Sequence, residues 1–368
     1  MILLVSAART GAQESPEGPI VPQHGVPVQT GPPPSRIKLR TILVNTPVTV
    51  RDGKGEMIHS LEERDFHVTD NGVEQKISHF ELGSEPMSIV LLVETSGRVT
   101  TILPEIRRTG IVFTQAVMGP DSEAAIIGFN DSVDTLEDFT SNADEIEGKM
   151  ARLKEGSDGI HLYDAMKAGV ELLSGRPGDK PGRRRVMLVL AEAEDQGSDA
   201  KLGEVLRQAQ LQNITIYSVG ISSARAGLSK KQEYKRPVQP TPEGTFGQPP
   251  APGTVQTPTS EDNRATGIDL LALAVWAVTH AKAQITENPL EIATTATGGA
   301  HLRTWKNPSI EKALDEVGGE LHSQYTLSYT PVGTDLGGYH EIKVDVDRKD
   351  VTVRARPGYY LAGPVGLN

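Results

Sequence analysis

Residues 87–94 read M-S-I-V-L-L-V-E, and the unbroken apolar run Ile89 to Val93, halted by Glu94, constrains the fold more than any other stretch. A strand with one wet face alternates polar and apolar residues. A strand that is apolar throughout is covered on both faces, as in a parallel sheet between two helix layers. Val186–Leu190, ending at Glu192, and Ile214–Val219 repeat the pattern. Between these runs lie stretches of helical spacing: Leu103 to Val117, Ile146–Leu153, Tyr163 to Leu173 with Gly175 placed to cap it, and Leu202–Leu211. Ala124–Phe129 and Val133–Phe139 read as further strands. Strand and helix in this rhythm predict an α/β fold, with a doubly wound, mainly parallel, Rossmann-like sheet.

The two ends follow another pattern. Residues 1–36 are rich in Pro, Gly and Gln and read as a disordered leader. The apolar start Ile2 to Val5, with small residues up to Gln13, reads as the remnant of a signal peptide. Residues 37–86 carry alternating apolar positions and the turn dipeptides Asp52-Gly53 and Asn71-Gly72, which predict short antiparallel strands. Tyr325–Tyr329, Tyr339–Val346 and Val351–Ala355 are β again. Antiparallel strands extend a parallel sheet poorly, so the two ends are expected to pair as a small β-sandwich into which the α/β domain is inserted. The expected boundaries are 37–86 for the first sandwich strands, 87–330 for the α/β domain and 331–368 for the last strands and tail. A Pro-rich stretch at 224–266 reads as a disordered insertion, followed by helix at Ile268–Thr279 and Leu290–Thr297, a strand at His301–Trp305, and a helix from Ile310 to Leu321.

A net charge of −11 argues against nucleic acid or an anionic membrane surface as partner, because both need clustered Lys and Arg. The absence of cysteine excludes disulfides, thiolate catalysis and cysteine-bound zinc. No stretch reaches the ~18 apolar residues of a membrane span.

Several motifs occur in order. They are D-F-H-V-T-D-N-G-V-E-Q from Asp65 to Gln75, the strand Pro86 to Leu92, L-Y-D-A from Leu162 to Ala165, E-D-Q-G-S from Glu194 to Ser198, and R-P-G-Y-Y from Arg356 to Tyr360. With them the chain resembles a von Willebrand factor type A domain protein, of the type A-related kind common in Acidobacteria, from Ile37 to Tyr360. The resemblance implies a metal-ion-dependent adhesion site at the sheet edge. Such a site has D-x-S-x-S after the first strand, a Thr before the L-Y-D-A helix and an Asp before the E-D loop. Hard divalent ions take oxygen ligands, at about 2.1 Å for Mg²⁺, and short side chains on rigid strand ends provide them. Here Glu94 stands for the first Asp, Ser96 matches, Arg98 replaces the second Ser, Ile160 the Thr, and Glu192 the last Asp. Isoleucine donates no oxygen, and a guanidinium repels a cation while pairing with carboxylates. The site is therefore expected to be degenerate, with Arg98 paired to Glu94, Glu192 or both. The alternatives are that Arg98 points into solvent or that Glu94, Ser96 and Glu192 retain a metal.

The remaining candidates have plain readings. The histidines show no metal-binding spacing, and His161 and His301 read as surface or packing residues. Ser96 lacks the G-x-S-x-G context of a nucleophile. Asp158, Asp195 and Asp199 are loop charges that could form an acidic rim, and Arg183–Arg185 a solvated edge. The P-x-x-P spacing near Pro237 reads as a spacer, and Trp276 and Trp305 as packing residues. The expected function is a non-enzymatic protein-protein interaction module. It would take a protein partner at the C-terminal edge of the parallel sheet, no nucleic acid, no integral membrane segment and no cofactor. One alternative is a structural subunit acting through its β-sandwich; the other is an adhesion domain dependent on Mg²⁺ or Mn²⁺. An exported location, periplasmic or extracellular, is expected, with the cytoplasm as alternative.

Overall fold

A computed structural model describes residues 43–83, 85–175, 183–221, 288–304, 309–332 and 338–361. The expected leader 1–36, the insertion 224–266, the helix Ile268–Thr279, Trp276 and Trp305 lie outside the described residues. The described chain opens with β1 (Val44–Asp52), β2 (Phe66–Asp70), β3 (Val73–Gln75) and β4 (Ile77–Leu82). Asn71 and Gly72 have φ of 48° and 79°, the left-handed pair that a tight β2–β3 hairpin requires.

The apolar run forms β5 (Met87–Glu94), buried along its whole length. α1 (Leu103–Val112) continues as a π-helical segment, Phe113–Met118, so the helix expected over Leu103 to Val117 is two helical forms in series. It stops at Gly119, whose φ is 63° and where a Cβ would lie 2.4 Å from the His322 ring. β6 (Glu123–Phe129), β7 (Val133–Thr140), α2 (Ala143–Ala151), α3 (Leu162–Ser174), β8 (Arg184–Ala191), α4 (Leu202–Leu211) and β9 (Ile214–Gly220) follow. α5 (Pro289–Thr297), β10 (His301–Arg303) and α6 (Ile310–Leu321) complete this part. Gly175 ends α3 with an ordinary φ of −80°, so it is not the left-handed cap its position predicts; its N–H bonds the Glu171 carbonyl.

The six strands run in the order β10-β9-β8-β5-β6-β7, with β7 antiparallel to β6 and the other pairs parallel. The chain leaves β5 toward β6 and β7 on one side, then returns to β8, β9 and β10 on the other. The β5–β8 neighbourhood is thus the topological switch point, where α/β sheets place their ligands. Alternation along β5 explains its apolar run. Met87, Ile89, Leu91 and Val93 pack with α1, α2 and α6, while Val90 and Leu92 pack with α3, α4 and α5.

β11 (Tyr325–Tyr329), β12 (Gly338–Val346), β13 (Val351–Ala355) and β14 (Gly358–Leu361) return to the first strands. They make two antiparallel sheets, β13-β1-β11-β4 and β14-β12-β2-β3, around one apolar core. The expected boundary at 330 therefore falls on the wrong side of β11, which lies between β1 and β4. β14 was not anticipated as a strand. Buried Asp70 on β2 holds the two sheets together: it accepts the Tyr329 hydroxyl of β11 at 2.9 Å and the Tyr359 hydroxyl of β14 at 2.6 Å, and faces His340 Nδ1 of β12 at 2.8 Å. The D-N-G and R-P-G-Y-Y motifs, far apart in sequence, meet here.

A second polar hub joins sandwich to α/β part. Buried Glu320 on α6 accepts the Tyr217 hydroxyl of β9 at 2.9 Å, Arg51 of β1 at 3.1 Å, and Arg354 of β13. No helix among the described residues is long and apolar enough to cross a membrane.

Candidate functional site

The carboxyl edge of the parallel sheet is built by four loops laced through their backbones. After β5, the Thr95 N–H donates to the Phe129 carbonyl at 2.8 Å and the Gly97 N–H to that of Ser157 at 2.9 Å. The Gly156 N–H returns to Thr95 at 2.7 Å, His161 donates to Asn130 at 2.8 Å, and Gln196 to Ile160 at 2.7 Å. Gly97 and Gly159 let the loops close up: a Cβ would stand 2.2 Å from Asp158 Oδ1 and 2.6 Å from Asp131 Cβ, respectively.

Glu94, Ser96 and Glu192 come together on this platform, all buried. Ser96 Oγ donates to Glu94 Oε1 at 2.5 Å, and Glu94 Oε2 accepts the Glu192 N–H at 2.7 Å. Burial pushes the Glu94 carboxyl up to about 7, against the lowering effect of these two bonds; the Glu192 charge adds to the rise and Arg98 offsets part of it. Arg98 Nε lies 3.1 Å from Glu192 Oε2, and Arg98 Nη1 donates to Glu194. The Glu194 hydrogen bond holds the guanidinium pKa above its ordinary value. Arg98 thus pairs with Glu192, as one of the expected arrangements had it, and with Glu194 in place of Glu94. Ile160 is buried in the apolar layer with Leu162 and Ala165, and only its backbone reaches the rim, bridging to Gln196.

These contacts bear on whether a divalent ion fits. Each Glu94 oxygen already has a protein donor, Ser96 Oγ spends its proton on Glu94, Glu192 faces a guanidinium and Ile160 has no side-chain oxygen. As arranged, the donor set does not suit a hard cation, which needs several oxygens turned toward one point. The grouping of carboxylates and imidazole with metal-like spacing among the described residues lies elsewhere, at His79, Glu81 and Glu85 by β4.

The acidic loop residues divide. Asp158 and Asp199 are exposed. Asp195 is committed to structure, because its Oδ1 accepts the Tyr163 N–H at 3.0 Å and the Ser198 hydroxyl at 2.6 Å. Ser198 Oγ in turn lies 3.1 Å from the Tyr163 and Asp164 amides at the start of α3. Asp164 answers by accepting the Asp199 and Ala200 N–H groups at 3.1 and 2.9 Å. The L-Y-D-A and E-D-Q-G-S motifs are therefore reciprocal caps, a role that their side-chain types signal but their separation in sequence conceals. His301 packs between Ser218 Oγ at 2.7 Å and Asn288 Nδ2 at 3.2 Å, and His161 against Gly197. Both fit the packing reading.

No protein of curated function matches the chain in sequence. Among solved structures it is similar to an aerotolerance-related membrane protein from Bacteroides fragilis NCTC 9343 carrying multiple mutations to serines. That likeness has 11% identity and a TM-score of 0.37, and covers 64% of this chain and 99% of that one. It is also similar to the conserved hypothetical protein BatB from Bacteroides thetaiotaomicron, with 12% identity and a TM-score of 0.37, over 64% of this chain and 98% of that one. Residues 88–236 match the family model of the von Willebrand factor type A domain. That span begins in the central apolar strand and takes in the Glu94–Glu192 edge, so the α/β part of this chain is a von Willebrand factor type A domain.

Proposed function

We propose that the chain is a non-enzymatic interaction module that binds a protein at the carboxyl edge of its parallel sheet without a divalent ion. The observation that carries this reading is the Arg98 guanidinium set against Glu192 and Glu194 where a metal-dependent edge would present oxygens to a cation. The exposed rim around it is acidic, with Asp131, Glu155, Asp158, Glu194 and Asp199, which favours a basic partner surface. Type A domains are in general protein-interaction modules. Export of the chain rests on the apolar start at Ile2 to Val5 and is tested by fractionating cells that express it with and without residues 1–13.

The test of the reading is titration of the full chain with Mg²⁺ and Mn²⁺ by calorimetry, alongside partner capture in EDTA. Absent metal heats, capture that survives the chelator, and capture abolished by Glu155→Lys with Asp158→Lys are the expected results. Micromolar metal binding removed by Ser96→Ala would overturn it.

A further inference from the structure

Arg183-Arg184-Arg185 precede β8, and the sequence reads them as a solvated edge. The structure corrects this: they lie at the opposite end of the sheet from Glu94, against the sandwich, and all three are partly buried. Arg184 donates to the Leu321 carbonyl at 2.8 Å and to the Gln324 side chain, Arg183 to the Met87 and Asp121 carbonyls, and Arg185 to the Gln212 carbonyl at 3.0 Å. The acceptors of Arg183 and Arg184 are neutral carbonyl and amide oxygens.

Together with Arg356 from the R-P-G-Y-Y motif, the three arginines border a cavity of about 190 Å³ whose lining among the described residues contains no Asp or Glu. This is unusual in a chain of net charge −11. The neighbouring acids stand outside it: Glu123 is 3.7 Å from Arg183, Glu85 acts on Arg184, and Asp70 acts on Arg356 from the sandwich core. Arg356 is only 4% exposed. Its Nη1 donates to Asn213 Oδ1 at 3.0 Å, and its Cζ lies 5.4 Å from the Tyr359 ring centre. Its Nε and Nη2 are buried without a partner among the described residues. A buried donor left without an acceptor costs about 1–3 kcal/mol, so natural structures rarely keep one without use. The planar fork of a guanidinium matches the oxygens of a phosphate, and clustered arginines favour its double charge. One water needs roughly 10–15 Å³ of such space, so there is room for more than a bare ion.

We propose that this cavity, at the seam between the type A domain and the β-sandwich, binds a small soluble phosphomonoester through Arg356 and the Arg183–Arg185 run. The site is independent of the Glu94–Glu192 edge.

The test uses the full chain in phosphate-free buffer, with calorimetry against inorganic phosphate, glycerol 3-phosphate and citrate, and flotation with phosphatidic-acid vesicles. Saturable binding of glycerol 3-phosphate, tighter than of phosphate or citrate, is expected. Arg356→Gln should weaken it about tenfold or more, the loss of one charge-assisted hydrogen bond. Because Arg356 is buried, Arg185→Gln at the half-buried border provides a second variant, and Arg108→Gln on the exposed side of α1 a control for overall charge. The proposal is overturned by absence of binding to both phosphate probes, by preference for citrate, or by binding confined to vesicles. Equal weakening in Arg108→Gln, or affinity unchanged in Arg185→Gln, would overturn it as well.

Discussion

Glu94 Oε2 accepts the backbone N–H of Glu192 at 2.7 Å, tying the carboxyl end of β5 to that of β8 across the switch point of the sheet. The carboxyl that makes this tie is buried, with its pKa raised from 4.5 to about 7. Between the unfolded and folded pKa values the native carboxyl still holds a proton that the unfolded chain has released, so ionisation there favours unfolding. The group's contribution to stability is full below the unfolded value and is lost as pH rises through the folded one. Unfolding free energy in chelated buffer is therefore expected to fall between about pH 4.5 and pH 7, by on the order of 3 kcal/mol from this group. Glu94→Gln keeps both hydrogen bonds, because its amide can donate to Ser96 and its oxygen accept from Glu192. Urea unfolding across pH should show the variant flatter than the parent and more stable than it at pH 8; parallel curves would contradict the assignment.

The edge can also be converted in the other direction. Glu94→Asp and Glu192→Asp shorten the two acids, Arg98→Ser removes the cation and Ile160→Thr introduces an oxygen where the chain bridges to Gln196. The fourfold variant should bind Mg²⁺ or Mn²⁺ in a calorimetric titration in which the parent gives no heat. Arg98→Ser on its own should not, because Ile160 still provides no ligand. Metal binding by that single variant would mean that Arg98 is the only obstacle.

How much of this was legible in the sequence depended on how local each cause is. The runs Ile89 to Val93 and Val186–Leu190 announce their environment because burial on both faces leaves no polar position. Asn71-Gly72 announces its turn because few residue pairs tolerate positive φ twice. Arg98 could be expected to seek a carboxylate, yet Glu194 as a partner depends on how the loop after β8 folds. Arg184 reads as part of a solvated edge because what buries it, α6 and the sandwich, is remote in the chain, and the R-P-G-Y-Y motif alone does not disclose that Arg356 is buried. The strand Tyr325–Tyr329 reads as part of the sandwich, and its pairing with β1 and β4 moves the boundary from 330 to before it.

The reciprocal caps predict that the rim loops depend on α3. Asp164→Ala leaves the Asp199 and Ala200 amides without their acceptor, and Asp195→Ala does the same to the Tyr163 amide. Each should cost about 0.5–2 kcal/mol. Hydrogen exchange should show faster opening confined to residues 194–200 and the first turn of α3. Unchanged protection there would mean that the loop is held by its backbone bridge to Ile160.

Glu320 provides the sharpest test of how the two parts of the molecule are joined. Its side chain is 3% exposed and serves the guanidinium groups of Arg51 and Arg354 from the sandwich as well as the Tyr217 hydroxyl from the type A sheet. Removing the carboxylate leaves two cations without their buried partner; because both arginines are about a third exposed, the cost is expected at about 3 kcal/mol, the low end of the range for a buried pair. Glu320→Ala should lose that amount in urea unfolding, and Glu320→Gln, which keeps the shape but not the charge, somewhat less. The solvent-exposed pair Arg303–Glu291 sets the scale, since Glu291→Ala should stay within about 1 kcal/mol. The loss should also uncouple the parts. Amides of β1 and β11 should exchange before those of β5 and β8 in Glu320→Ala, whereas in the parent they are expected to open together. If all four strands still open as one unit in the variant, the seam is held by the Arg356–Asn213 and Gln324–Thr49 contacts instead.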